Sequence, residues 1–578
     1  MISGFTLSSR WWGHGLALLI FFAVSLSWSI YSQDRGPEAI RTSDTTDVFY
    51  GIVIGAQSER EATRGETISL LTRIVLGQRE AWRDCPMARC YQLHFDAYLK
   101  SVYLATGDVT DAYKLLVLPL NFIYLVGCYL LFLSLCRQRG LAILFALLAS
   151  LPIAIPLAGE VFGIGPYTIF SRRHLFTAFV PLALYGFYRY RDNFRALLFV
   201  FAFLGAIANL HASGILLIEI VLLAYLLFHA RLRPFFLQGV ALLAVAFATA
   251  FIALGSPWRV LAGFIEKMAT LVIPAAQAAN FDLLAGIEPS LRYLFYPPHI
   301  YAHLPVSLVH TMSVGVFIVA LLPVLLRRRV AGTAYGWLLF LSSLSILAFL
   351  GFANFKWWLL VAAVVWLFTQ RKEPAPALEL TSMLILATYI VSFVLSVVLQ
   401  FAFLLVPDFP AIHNNLRGVR FIGILLFVWL VALLGQIDFS GLARSKRFVL
   451  ILLLVVATLL DLRQVIRDNF RELPHKEEKM ALLDVARWVK VHTPRDAAIY
   501  VASSEFGIVS ERRIRLTNKL RATCSACDGV ALANNADTLI EETKGAKFQY
   551  AVLRKATPDA HTDSSVYENR HYALLRVD

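Results

Sequence analysis

Long apolar segments recur along the chain, and most of them are separated by short polar turns. A helix of about 20 apolar residues, rising about 1.5 Å per residue, is long enough to cross the hydrocarbon core of a bilayer. The number of such segments predicts a polytopic α-helical membrane protein with about 13 transmembrane helices. These helices are expected near residues 13–31, 113–135, 140–158, 174–188, 196–210, 213–228, 236–255, 305–326, 333–352, 355–370, 380–405, 420–437 and 447–461.

The composition of the chain supports a membrane protein. Of its 578 residues, 58% are hydrophobic and only 16% are charged, whereas soluble globular chains are about 45–50% apolar and about 25% charged. A soluble enzyme, a disordered scaffold and a secreted disulfide-rich miniprotein are therefore excluded. The net charge of +14 reflects small basic clusters in turns between the predicted spans, so we expect no nucleic-acid partner.

The positions of the basic residues predict which side of the membrane each short loop occupies. Lysines and arginines in short loops resist translocation and so mark the cytoplasmic side. The N-terminus is then cytoplasmic and the C-terminal region is periplasmic or extracellular, as in a multi-pass protein of a bacterial inner membrane. If the spans alternate, one side carries Arg137/Arg139, Arg189/Arg191/Arg195, Arg231/Arg233, Arg327/Arg328/Arg329, Arg371/Lys372 and Arg444/Lys446/Arg447.

Most of the polar sequence lies on the opposite, outer side of this predicted topology. A transmembrane domain covers residues 1–461, and its larger outer loops lie at 32–112, 256–304 and 406–419. Because the cytoplasmic loops are minimal, we expect the chemistry of the protein to take place on the outer face.

The last part of the chain, residues 462–578, predicts a small extracytoplasmic α/β domain. Apolar residues at helical spacing predict its first helix over 477–491. The remaining predicted elements are strands over 497–503, 548–554 and 571–577 and a helix over 533–543.

Two acidic residues after the first span are the candidate catalytic residues. The sequence TSDTTDVFYG places Asp44 and Asp47 three residues apart, and a helix beginning at Thr46 would put Tyr50 one turn beyond Asp47. A carboxylate at the membrane boundary, Asp47 first and Asp44 as the fallback, can act as general base towards an acceptor hydroxyl. The alternative is that Asp44 caps the helix and Asp47 complements its dipole.

Three further polar residues are candidates for substrate contact. His94 and Asp96, in the sequence YQLHFDAY, precede an aromatic stretch, and one of them is expected to face the same cavity as Asp47. The alternative is an interfacial helix whose tyrosines lie at headgroup depth. His211, in the short outer hairpin ANLHASG, either contacts substrate or is a hydrogen-bonded structural residue.

Four arginines lie at the outer membrane edge of the predicted topology. Arg172 and Arg173 precede the fourth predicted span, and Arg417 and Arg420 precede the twelfth. The preference of basic residues for the cytoplasmic side does not explain them. Guanidinium groups suit a phosphate or diphosphate, which they can bind in a bidentate manner. The alternative is that these arginines anchor the protein to lipid headgroups.

Together these features resemble the GT-C superfamily of polytopic glycosyltransferases, such as the protein mannosyltransferase and lipid A aminoarabinose transferase types. The shared layout is one span, a long outer loop beginning with an acidic D-x-x-Y element, many short-looped helices and an outer α/β domain. The tail sequence WVKVHTPRDAAIY also resembles an element of bacterial GT-C-like proteins, many of unassigned substrate. The matching short pieces are residues 47–50, 94–113, 172–176, 209–214 and 417–421.

The resemblance implies a reaction and its partners. A sugar would pass from a polyprenyl-phosphate-linked donor in the bilayer to a protein, lipid or glycan acceptor, with inversion and an aspartate as general base. No cofactor is expected, and a need for a divalent metal is left open. The expected site contains Asp47 or Asp44 as the base, with Tyr50, His94, Asp96, Arg172, Arg173, His211, Arg417 and Arg420 as substrate-binding residues.

Two other functions fit the sequence. A polymerase or ligase of lipid-linked polysaccharides would also need arginines at the outer edge, but its donor would be an oligosaccharide diphosphate. A transporter or lipid flippase would need polar groups inside the membrane, and Glu219 is the clearest acid within a predicted span.

Overall fold

The structure is a computed structural model, and it is mostly helical with a small sheet near the C-terminus. It describes residues 9–33, 44–62, 69–76, 93–136, 138–150, 153–155, 160–162, 172–207, 210, 212–228, 235–254, 306–349, 376–405, 419–436, 448–449, 452–453, 455–460, 463, 476–501, 503–514, 548–555 and 565–577.

The helices and strands follow one another along the chain in two groups, the apolar helices first and the sheet last. In chain order they are α1 (Ser9–Gln33), α2 (Asp44–Ala62), α3 (Leu93–Thr106), α4 (Asp111–Cys136), α5 (Arg139–Ser150), β1 (Ile153–Ile155), β2 (Glu160–Phe162), α6 (Arg172–Thr177), α7 (Val180–Tyr190), α8 (Phe194–Ile207), α9 (Ala212–Phe228), α10 (Phe235–Leu254), α11 (Val306–Leu326), α12 (Thr333–Phe349), α13 (Pro376–Leu405), α14 (Val419–Leu434), α15 (Lys476–His492), β3 (Ala498–Tyr500), α16 (Ser504–Ser510), β4 (Arg513–Ile514), β5 (Tyr550–Arg554), β6 (Ser565–Glu568) and β7 (Tyr572–Arg576).

Within the described ranges, three helices are long and apolar enough to cross a membrane. They contain the segments Gly13–Tyr31, Asp111–Cys136 and Pro376–Val394. The described part of the chain therefore contains candidate membrane-spanning helices, whereas the predicted number of 13 spans stays a prediction. The span predicted near 355–370 lies outside the described residues, and of the span near 447–461 the structure describes residues 448–449, 452–453 and 455–460. Shorter apolar segments are Arg139–Ser150, Phe194–Ile207, Leu237–Ala250, Thr311–Leu326, Thr333–Phe349 and Phe421–Leu434.

Prolines shorten or divide two of the predicted spans. The span expected over 140–158 is helical only as far as Ser150, and β1 and β2 then form an antiparallel pair with Ile153 opposite Phe162. The sequence has a proline at position 152, and a proline lacks the amide proton that continuing a helix requires. The span expected over 174–188 is divided into α6 and α7, and Pro181 lies in the first turn of α7.

Contacts between helices show that α1 and α4 run in opposite directions. The hydroxyl of Tyr129, near the end of α4, lies 2.9 Å from Nδ1 of His14, near the start of α1. Phe22, later in α1, packs edge-on against Phe122, earlier in α4. Helix α4 also packs against α5, α7 and α14, so it lies at the centre of the described bundle. Antiparallel neighbours are what alternating spans predict.

The C-terminal domain is a five-stranded mixed sheet in the order β4-β3-β5-β7-β6. β3 is parallel to β4 and β5, whereas β7 is antiparallel to β5 and β6. Helix α15 packs on β7 and β6, and α16 connects β3 to β4. The predicted helix over 477–491 and the three predicted strands are confirmed, the helix predicted over 533–543 lies outside the described residues, and α16, β4 and β6 were not predicted.

The core of the C-terminal domain is continuous with the core of the apolar helices. One cluster of buried residues includes Phe49 and Tyr50 of α2 together with Val485 of α15, Phe506 of α16 and Leu574 of β7. Helix α2 therefore joins the domain to the rest of the molecule.

Candidate functional site

The predicted site residues that the structure describes share one kind of position, the beginning of a helix. Asp44 and Asp47 lie in the first turn of α2, which begins two residues before the predicted start at Thr46. His211 and Arg417 lie outside the described residues. The remaining residues at helix starts are His94 and Asp96 in α3, Arg172 and Arg173 in α6, and Arg420 in α14.

The structure brings two of these helices into direct contact. α2 packs against α3, so the helix with the candidate bases lies beside the helix with His94 and Asp96. α6 packs on α7, and α14 packs on α4, α5 and β2. Convergence of the arginines with Asp47 in one cavity stays a prediction.

Tyr50, one turn after Asp47, is buried between α2 and the C-terminal domain. Its hydroxyl accepts a hydrogen bond of 2.9 Å from the backbone N–H of Ile514 in β4. Its ring lies so close to Gly507 that a Cβ atom added there would be 2.5 Å from Cε2 of the ring. Burial raises the pKa of Tyr50 to about 12, against the ordinary 10.0. The hydroxyl that the sequence suggests for substrate binding is thus engaged in an interdomain contact.

Arg60, in the last turn of α2, links α3 to the C-terminal domain. Its guanidinium lies 5.1 Å from the ring centroid of Tyr103 in α3 and donates to Oε1 of Glu511 at 3.1 Å. Gly107, with a φ of +83°, ends α3 beneath this guanidinium. A side chain at Gly107 would both strain the backbone and collide with Arg60.

Glu511 accepts hydrogen bonds from three side chains of two other helices. Its carboxylate accepts from Arg60 of α2 and, at 2.8 Å, from Nζ of Lys490 in α15. Its backbone carbonyl accepts from Nε2 of Gln57, one turn before the end of α2. The side chain is only 15% exposed, so water screens these charges less than at an open surface.

Two further ion pairs flank Arg60 on the last turn of α2. Glu59 pairs with Lys100 of α3 at 2.6 Å, and Glu61 pairs with Arg495, which follows α15. Of these three successive residues of α2, Glu59 contacts α3, Glu61 contacts the C-terminal domain, and Arg60 contacts both. Sequence reasoning missed this cluster, because nothing in the local pattern of a polar helix end indicates a partner hundreds of residues away.

Arg512 closes the end of α15 against the sheet. It is 3% exposed, and it donates to the carbonyl oxygens of Lys490 at 2.9 Å and Thr493 at 2.8 Å and to the Thr493 hydroxyl at 3.1 Å. These carbonyls have no partner within the helix. Arg512 therefore holds the end of α15 next to Glu511.

Across the part of the chain that the structure describes, no group of three or more His, Cys, Asp or Glu residues could hold a metal ion. Comparison of the chain with protein-family models found no match, and comparison with curated proteins found none either.

Proposed function

We propose that the chain is a membrane glycosyltransferase of the GT-C type, which transfers a sugar from a polyprenyl-phosphate-linked donor to an acceptor at the outer face. The observation that supports this proposal is the position of α2. Only residues 34–43 separate it from the membrane-length helix α1, and Asp44 and Asp47 lie in its first turn. α2 is also held by α3 on one side and by the C-terminal domain on the other.

A carboxylic acid residue in the first turn of α2 suits single-displacement sugar transfer. Nucleotide sugars are made in the cytosol, so an outer-face enzyme needs a donor that arrives within the bilayer. Asp47 takes the proton of the acceptor hydroxyl while the acceptor oxygen bonds to the anomeric carbon. The bond from that carbon to the phosphate oxygen breaks, and polyprenyl phosphate leaves. Arg172, Arg173, Arg417 and Arg420 would stabilise the negative charge on the departing phosphate.

The test is sugar transfer by the full chain reconstituted in liposomes. The probes are undecaprenyl-phosphate-linked mannose, glucose and aminoarabinose, supplied with membrane extracts as the acceptor source, and release of undecaprenyl phosphate is measured by mass spectrometry. We expect Asp47→Asn to reduce transfer by about 10²-fold or more. Asp484→Asn removes an exposed carboxylate of α15 and is the matched control, expected to stay within about twofold.

Three outcomes would contradict the proposal. Full activity in both Asp47→Asn and Asp44→Asn would exclude an aspartate base at the start of α2. A ladder of products would indicate a polysaccharide polymerase. Substrate flux into liposomes without a covalent product would indicate a transporter, and Glu219, which is buried in α9, would then be the first residue to substitute.

A further inference from the structure

Glu511 stands at a backbone position that favours glycine. It directly follows α16 and has a φ of 51°, in the left-handed region. Helices commonly end on a residue of this conformation, and glycine or asparagine is usual there because a larger side chain is disfavoured. A glutamate that adopts this conformation is therefore held in it by interactions of its own.

Apart from a hydrogen bond of 3.2 Å that its carbonyl accepts from Nη1 of the adjacent Arg512, the interactions of Glu511 lead to other helices. The carboxylate joins Arg60 of α2 to Lys490 of α15, and the carbonyl accepts from Gln57 of α2. The left-handed conformation of Glu511 ends α16 and begins the short segment that leads to β4. It therefore sets the direction of both the carboxylate and the backbone carbonyl of Glu511.

Helix α2 is thereby held at two points along its length. Near its start, the Tyr50 hydroxyl binds the Ile514 amide, and in its last turns Gln57 and Arg60 bind Glu511. Two contacts more than one turn apart restrict the tilt and rotation of a helix more than a single contact does.

We propose that Glu511 is a positioning residue, which locks the C-terminal domain onto α2 and so fixes the first turn that carries Asp44 and Asp47. The lock itself is independent of the reaction, and its catalytic consequence rests on the proposed function. Misplacing a general base by about 1 Å is enough to reduce a rate by about 10²-fold.

Two substitutions distinguish the contribution of the Glu511 side chain from that of its backbone conformation. Glu511→Gln keeps the shape and removes the charge, whereas Glu511→Gly removes the side chain and suits the left-handed backbone. Glu477→Gln, at an 84% exposed glutamate of α15, is the matched control. Hydrogen–deuterium exchange is measured on the full chain in nanodiscs, together with kcat and KM for the undecaprenyl-phosphate sugar that the wild type uses.

We expect amides 52–62 to exchange about tenfold faster in both Glu511 variants, while amides 504–510 stay unchanged in Glu511→Gly. We also expect kcat to fall about tenfold with little change in KM, since the donor site itself is intact. Arg60→Gln should reproduce both effects, and the double variant Arg60→Gln/Glu511→Gln should be no worse than either single variant.

Unchanged exchange of α2 in Glu511→Gly and Arg60→Gln would overturn the lock, as would additive effects in the double variant. If Glu511→Gln fails to fold, Glu511→Gly decides, because its backbone is unstrained. If the wild type transfers no sugar but α2 exchanges faster in the Glu511 variants, the proposed function is refuted and the lock is supported. If the wild type transfers sugar and Asp47→Asn is inactive, but α2 exchanges at the wild-type rate in Glu511→Gly and Arg60→Gln, then only the lock is refuted.

Discussion

Tyr50 joins two parts of the chain that are 464 residues apart in sequence. Its ring is 1% exposed and lies against Gly507, and its hydroxyl satisfies the buried N–H of Ile514. Without the hydroxyl, that N–H would be buried with no acceptor, which costs more than the bond itself contributes. One phenol oxygen is therefore important for the docking of the C-terminal domain.

Removal of this oxygen should weaken the docking. We expect Tyr50→Phe to destabilise the full chain by about 1–3 kcal/mol, because it strands the Ile514 amide and leaves the packing of the ring unchanged. The measurement is thermal unfolding in detergent together with exchange of amides 513–514. Tyr190→Phe, at a tyrosine 42% exposed at the end of α7, is the control and should change stability by less than about 0.5 kcal/mol. Equal stability of the two variants would contradict the assigned role.

The same hydroxyl should make stability fall at alkaline pH. Burial raises the pKa of Tyr50 from 10.0 to about 12, so folding favours the protonated form. Its contribution is then fully present below about pH 10 and is lost as the pH rises towards 12, by about 3 kcal/mol in total. Unfolding of the wild type and of Tyr50→Phe, measured between these pH values, should converge as the pH rises. Parallel curves would show that Tyr50 does not titrate in this way.

At the scale of the element, the end of α15 depends on one buried arginine. Arg512 donates to the carbonyls of Lys490 and Thr493 and to the Thr493 hydroxyl. A lysine carries one compact ammonium group and cannot span these acceptors as a planar guanidinium does. We expect Arg512→Lys to cost about 1–3 kcal/mol and to accelerate exchange of amides 489–493. Arg487→Lys, half exposed on the same helix, should do neither, and equal exchange in both variants would contradict the capping role.

A second element-scale prediction concerns the close contact of α8 with α10. A Cβ atom added to Gly205 would collide with the carbonyl oxygen of Ala246 and the hydroxyl of Thr249, so the backbones of the two helices approach closely at that point. Small residues at such crossings allow apolar helices to pack in membranes. We expect Gly205→Ala to lower the unfolding free energy by about 1–3 kcal/mol. Gly315→Ala in α11, where nothing lies within 4 Å, should be neutral or slightly stabilising, and thermal unfolding distinguishes the two.

The elements themselves were predictable to the extent that their signals are local. The apolar stripe of α15 and the apolar runs of β5 and β7 lie within single short segments, and their elements were predicted correctly. The predicted span over 140–158 was too long because hydropathy alone does not register Pro152. The pairing of Arg60 with Glu511 joins residues 451 positions apart, and no short-range pattern carries such information. Of the site, the sequence therefore indicated the helix that bears the acids but not the contacts that hold it.

At the scale of the whole molecule, the contact of α2 with the C-terminal domain constrains the path of the chain. α2 follows α1, whereas the domain follows all of the apolar segments, yet Tyr50 and Ile514 share a hydrogen bond. In a chain that spans a membrane, this contact requires both to lie on the same side, and the chain then crosses the membrane an even number of times between residues 62 and 476. Twelve further crossings, as the sequence predicts, satisfy this condition, and so does any other even number.

Side-specific labelling of single cysteines tests this path and its orientation. The three sites are exposed: Ala62 at the end of α2, Ala331 in the turn after the arginines 327–329, and Val491 in α15. In a background whose six cysteines are replaced by alanine, Ala62→Cys and Val491→Cys should react with a membrane-impermeant maleimide on intact cells. Ala331→Cys should react only after permeabilisation, because basic turns stay in the cytoplasm. Reaction at Ala331→Cys alone would invert the orientation, whereas opposite results at Ala62→Cys and Val491→Cys would contradict the contact between α2 and the C-terminal domain.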